Sequence, residues 1–205
     1  MQPSARILLN VTGGDKSYFL WNGTEAYYKK LRLAYLDILN NLQSDYLHFS
    51  FFTLCAATLE YSLNFTLTNF CLDEFGLYKY KPQAKKYIAL KFAEKLRLSP
   101  NIISKGQLAI NENNNSYKTL LELITLRNKI LHNKEFLTEF DFSFVLKKEI
   151  REEIEFEIEV IPNHIETLTK DKCISFGKAL GDFKKYIMTP ALTHDLVENK
   201  MVQKT

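Results

Sequence analysis

The sequence predicts a mainly α-helical bundle of about five helices. Glycine and proline are scarce, at 7 and 5 of 205 residues, whereas an all-β fold needs frequent turn residues. Apolar residues recur at helical spacing over several long segments. The hydrophobic fraction of 46% is typical of a globular protein, and a chain of this length can form one domain with a full core.

The predicted helices have recognisable starts and ends. They span residues 24–43, 50–75, 82–98, 116–133 and 166–188. Thr24 and Ser116 are the predicted N-caps of the first and fourth helices, because a side-chain oxygen there can accept a backbone N–H. The second helix ends at Gly76 and is apolar on most of its circumference, so we expect it at the centre. Ser99-Pro100 is predicted to stop the third, lysine-rich helix, which begins at Pro82.

The sequence predicts three parts of the chain: an N-terminal extension, a helical domain and a C-terminal tail. Residues 1–23 predict a β-hairpin extension, with strands over 6–11 and 17–21 around Gly13-Gly14-Asp15. Residues 24–190 form the predicted helical domain. Within it, residues 155–161 alternate glutamate with apolar side chains and indicate an edge strand. Residues 191–205, which follow Pro190, are predicted to be a flexible tail.

Composition narrows the classes of function. The net charge of +3 permits nucleic-acid binding, but no dense block of Lys and Arg requires it. Cys55, Cys71 and Cys173 lack the spacing of a disulfide framework or a zinc site. The N-terminal residues lack an export signal. We therefore expect a cytoplasmic protein. Residues 47–72 are apolar but carry Glu60 near the middle, which disfavours a membrane span.

Arg127 lies within the apolar face of the helix predicted over residues 116–133. At about 100° per residue, this face consists of Leu120, Leu123, Ile124, Ile130 and Leu131. Asn128 and His132 lie one turn apart on its flank. An arginine keeps its charge, and burying it unpaired costs several kcal/mol. It therefore needs a carboxylate, a water-filled cleft or an external anion, unless its stem packs while the guanidinium reaches solvent.

Glu60 is the internal candidate for a partner of Arg127. It lies at the border of the apolar face of the second helix, beside Ala56, Leu63 and Leu67. A Glu60–Arg127 pair would hold the arginine rotamer. The alternative is that Glu60 points into a polar seam.

The combination of Arg127, Asn128 and His132 fits phosphodiester cleavage without a metal ion. His132 can accept a proton from a ribose 2′-hydroxyl or donate one to the leaving oxygen. Arg127 can hold the phosphate oxygens bidentately and offset the charge of the transition state. Asn128 can orient the imidazole or the phosphate. No clustered set of metal ligands is evident, so the sequence predicts no metal and no cofactor.

These residues resemble the Arg-x(4–6)-His signature of the HEPN superfamily. The motif Arg127-Asn128-x-x-x-His132 stands near the end of a late helix, and a polar residue, often Asn, follows the arginine in many members. An earlier helix often carries a glutamate in an apolar setting, as around Glu60. The resemblance implies a homodimer whose motif helices form one composite cleft, and RNA cleavage that leaves 2′,3′-cyclic phosphate ends.

The resulting prediction is a metal-independent endoribonuclease of a toxin-antitoxin, phage-defence or stress-response system, with an antitoxin or other protein partner. One alternative is a catalytically inactive HEPN dimer that binds RNA, a nucleotide or a protein. Another is an unrelated helical scaffold in which Arg127 only pairs with Glu60. Lys85, Lys86 and Lys129 are candidate RNA-binding residues, although a lysine-rich helix face can also be merely solvated.

Overall fold

The computed structural model describes residues 5–8, 18–40, 45–131, 167–187 and 201–205. These ranges contain six helices and two small antiparallel sheets, so the predicted mainly α class is confirmed. In chain order the elements are β1 (Ala5–Leu8), β2 (Tyr18–Trp21), α1 (Thr24–Leu39), α2 (Asp45–Phe75), α3 (Tyr80–Ile88), α4 (Phe92–Ile103), β3 (Leu108–Ile110), α5 (Asn115–Leu131), α6 (Lys170–Ile187) and β4 (Val202–Lys204).

The helix predicted over residues 82–98 is wrong as a single element, because the structure forms α3 and α4 there. Lys91 adopts an extended backbone with ψ of 148°, which interrupts the helical hydrogen bonds. The chain re-enters a helix at Phe92, where the Glu94 carboxylate accepts the Lys91 backbone N–H at 3.2 Å. A glutamate at this third helical position is a favourable start signal, since it satisfies an otherwise unpaired donor.

Pro100 lies inside α4, although the sequence predicts that it ends the helix. A proline has no N–H for the carbonyl four residues earlier, which here belongs to Leu96. The buried Ser99 hydroxyl donates to that carbonyl at 3.3 Å and replaces the missing partner. The helix therefore continues through Pro100 to Ile103.

Helix α2 forms the centre of the bundle and packs against all five other described helices. It ends as predicted at Gly76, which takes a φ of 71° that suits glycine, and the Gly76 N–H bonds the Leu72 carbonyl at 3.0 Å. Its largest fully buried side chains are Phe51, Phe52, Leu59, Leu63 and Leu67. None of the helices described here combines the length and apolar character that a membrane crossing requires.

Asparagine side chains precede α1 and α5, where the sequence predicts Thr24 and Ser116 as caps. The N-cap of α1 is Gly23, and Asn22 Oδ1 accepts the Thr24 N–H at 3.0 Å. At α5, Asn114 Oδ1 accepts the backbone N–H three residues later at 3.1 Å. The two predicted caps are therefore wrong by one or two positions, because an asparagine oxygen satisfies a helix N-terminus equally well.

The predicted N-terminal hairpin is confirmed by antiparallel pairing of β1 with β2, with Ala5 opposite Trp21. At the other end, residues 201–205 differ from the predicted flexible tail. Strand β4 pairs antiparallel with β3, with Ile110 opposite Val202, and Met201 is fully buried. The edge strand predicted over residues 155–161 lies outside the described residues.

Candidate functional site

Arg127 projects from α5 into the junction between α2 and α4. Its Nη2 donates to Glu60 Oε2 on α2 at 3.4 Å, and its Nη1 donates to the neighbouring Asn128 Oδ1 at 3.1 Å. Its guanidinium carbon lies 5.8 Å from the centroid of the Phe92 ring on α4, and the side chain is 21% exposed. The guanidinium is thus held by a carboxylate, an amide and an aromatic ring.

Glu60 is shared between two cations. Its Oε2 faces Arg127, and its Oε1 lies 3.7 Å from Lys95 Nζ on α4. Of the two alternatives that the sequence leaves open for Glu60, the structure shows the ion pair. With 36% of its side chain exposed, Glu60 also reaches solvent, so the pair lies at the rim of the core.

Lys95 is a member of this site that the sequence interpretation missed. Its side chain is only 5% exposed, and Nζ donates to Asn64 Oδ1 on α2 at 2.9 Å. Burial lowers the pKa of Lys95; the Glu60 carboxylate opposes this shift, and Arg127 adds to it. The signal was available, because Lys95 shares the buried face of α4 with Phe92, Leu96 and Ser99, just as Arg127 lies within an apolar face.

We call Glu60, Lys95 and Arg127 the cationic cluster. The two positive side chains, Lys95 and Arg127, both face the Glu60 carboxylate. Both cations lie within 5.8 Å of the same Phe92 ring, in surroundings that screen charge less than water does. Positive side chains that reach an exposed rim can attract an anion.

The other predicted site residues lie in different surroundings. Asn128 and Lys129 are exposed on α5, beside the cluster in sequence. Lys85 and Lys86 are exposed in the last turn of α3 and take no part in the ion pairs of the cationic cluster. His132 follows the last described residue of α5 and lies outside the described residues.

The donor types of the cluster suit anions rather than metal ions. In the described part of the chain, no group of three or more His, Cys, Asp and Glu side chains lies close enough to hold a metal. The cluster instead provides a guanidinium and an ammonium, and the amides of Asn64 and Asn128 lie beside them; these groups bind phosphate and carboxylate oxygens. Comparison with protein-family models, curated proteins and solved structures finds no match to this chain.

Proposed function

We propose that the protein is a metal-independent endoribonuclease of HEPN type, in which the cationic cluster binds the scissile phosphate. The observation that carries the proposal is the shared ion pair, in which the Glu60 carboxylate faces both Arg127 and Lys95 at the rim of the core. Arg127 is the residue that contacts phosphate, because its planar guanidinium matches two phosphate oxygens. The partly exposed Glu60 orients the guanidinium, and the buried Lys95 lies on the other carboxylate oxygen of Glu60 and contributes to the positive potential.

In the proposed reaction, the ribose 2′-oxygen attacks phosphorus and the bond from phosphorus to the 5′-oxygen breaks. One imidazole removes the 2′-hydroxyl proton and another donates a proton to the 5′-oxygen. The products are a 2′,3′-cyclic phosphate and a 5′-hydroxyl. His132 supplies these groups if two copies of the motif face each other in a homodimer, because each copy contributes one His132 to the shared cleft.

The direct test is cleavage of a mixed RNA pool by purified protein in EDTA, with mapping of the product ends. We expect 2′,3′-cyclic phosphate ends and no cleavage of DNA, which lacks the attacking hydroxyl. His132→Ala should reduce the rate by about a hundred- to ten-thousand-fold while RNA binding remains. Arg127→Ala should reduce both cleavage and binding. Arg97→Ala, which removes an exposed arginine of α4, serves as the matched control and should change neither.

Four results would contradict this assignment. Cleavage that needs added magnesium, or that survives in both the His132 and the Arg127 variants, would exclude this site as the nuclease. RNA binding that depends on Arg127 without any cleavage would favour the catalytically inactive HEPN module. A monomer at tens of micromolar by light scattering would exclude the composite cleft of two chains.

A further inference from the structure

A groove runs between α1 and α6, which lie antiparallel on the surface of the bundle. Lys184 pairs with Glu25 at 3.0 Å near one end, and Lys170 Nζ donates to the Leu39 carbonyl at 3.3 Å near the other. Between these contacts the helices leave an open cavity of about 250 Å³. Its described lining shares no residue with the cationic cluster, so this groove is a separate site from the one proposed for the nuclease activity.

Two glycines one turn apart on α6 line this groove, and the fold requires only one of them. A Cβ on Gly177 would lie 2.6 Å from the Tyr35 ring, so the packing of α1 against α6 excludes a side chain there. A Cβ on Gly181 would meet no atom of the described residues within 4 Å. Glycine destabilises a helix interior relative to alanine. Packing among the described residues therefore does not account for Gly181, which borders the open groove.

The walls of the groove have the character of a small-molecule site. Tyr28, Leu31 and Tyr35 supply aromatic and aliphatic surface, and the Tyr28 hydroxyl donates to the Leu180 carbonyl at 3.3 Å, which fixes that ring. Binding sites for small ligands are mostly apolar with a few placed polar groups. The volume is just below the range of about 300–1,000 Å³ that is usual for drug-sized ligands, so the ligand should be compact.

The charged residues of the lining decide the class of ligand. Among the described residues, the two charged side chains of the lining, Arg32 on α1 and Lys178 on α6, are both positive and exposed. We propose that the groove binds a small organic anion. Its aromatic or branched aliphatic body lies against Tyr28 and Tyr35 and over Gly181. Its acidic group pairs with Arg32 and Lys178.

A pair of fluorescent dyes tests both parts of the proposal. The probe is 8-anilinonaphthalene-1-sulfonate, an aromatic anion; N-phenyl-1-naphthylamine is the same ring system without the sulfonate. We expect the anionic dye to bind the folded protein more tightly than the neutral dye. Replacing both Arg32 and Lys178 by Gln should weaken the anionic dye about tenfold, because two exposed ion pairs are lost. The neutral dye should change less than twofold.

Gly181→Leu tests the location, because a leucine side chain would occupy space in the groove, and a Cβ at this position meets no atom of the described residues within 4 Å. It should abolish binding of both dyes while the thermal unfolding curve stays cooperative. Leu33→Gln is the matched control, since Leu33 is 51% exposed on α1 but does not line the groove. The Leu33→Gln variant should bind both dyes with the same affinities as the parent protein. Unchanged dye binding in Gly181→Leu would overturn the site. Equal affinity for both dyes would overturn the anionic ligand.

Discussion

Glu60→Gln removes the carboxylate that Lys95 and Arg127 share, while it keeps the size of the side chain. Removing one partner of a fully buried ion pair costs about 3–5 kcal/mol, whereas an exposed pair contributes about 0–1 kcal/mol. Lys95 is 5% exposed and Glu60 is 36% exposed. We therefore expect the free energy of unfolding to fall by an amount between these limits, about 2 kcal/mol. For a chain of this size that loss lowers the melting temperature by about 4–8 °C.

The same substitution should change the pH dependence of stability. Burial lowers the pKa of Lys95 in the folded state below its ordinary value of 10.5, despite the opposing effect of Glu60. Between the folded pKa and 10.5 the unfolded chain binds more protons, so stability rises with pH in that window. Glu60→Gln lowers the folded pKa of Lys95 further and extends the window downward. The loss of folding stability caused by Glu60→Gln should therefore be largest near neutral pH and should shrink as the pH approaches 10.5.

Urea unfolding followed by circular dichroism, at several pH values and one protein concentration, measures both effects. Lys95→Met provides the second side of a double-mutant cycle, because it keeps the aliphatic stem and removes the charge. Glu60→Gln should cost less in the Lys95→Met background. Glu74→Gln is the matched control, since Glu74 lies on the same helix and pairs with the exposed Lys105, and it should cost less than about 1 kcal/mol. Strict additivity of Glu60→Gln and Lys95→Met would show that Glu60 and Lys95 are not energetically coupled.

Other substitutions test the packing. Gly177→Ala should destabilise the fold by about 1 kcal/mol, because overpacking against Tyr35 outweighs the better helix propensity of alanine. Gly181→Ala should stabilise it by up to about 1 kcal/mol. Urea unfolding that shows stabilisation by Gly177→Ala and destabilisation by Gly181→Ala would mean that the two glycines are wrongly assigned. Ser99→Ala should cost about 1–2 kcal/mol, since a buried carbonyl of α4 loses its donor; a neutral effect would mean that Pro100 needs no compensation. Met201→Ala should lower the free energy of unfolding by about 2–5 kcal/mol, measured as a fall in the melting temperature. An unchanged melting temperature would contradict the burial of Met201.

The local pattern of the sequence predicted most of the helical fold. Helical spacing of apolar residues and Gly76 predicted the central helix and its end, because both depend on residues close in the chain. The hairpin of β1 and β2 was predictable for the same reason. The unusual position of Arg127 within an apolar face also pointed to Glu60 as a candidate partner.

Tertiary contacts decided the rest. Pro100 is tolerated inside α4 because the buried Ser99 hydroxyl replaces the missing donor, and the residue types alone do not show where that hydroxyl points. Strand β4 exists because residues near position 203 meet β3, almost a hundred residues earlier in the chain. Lys95 belongs to the cationic cluster only because α4 packs against α2. The sequence by itself determined which face of each helix is apolar. The partners of the charged side chains depended instead on packing between distant segments. Electrostatic and hydrogen-bond energies depend on interatomic distances, and only the folded chain sets those distances.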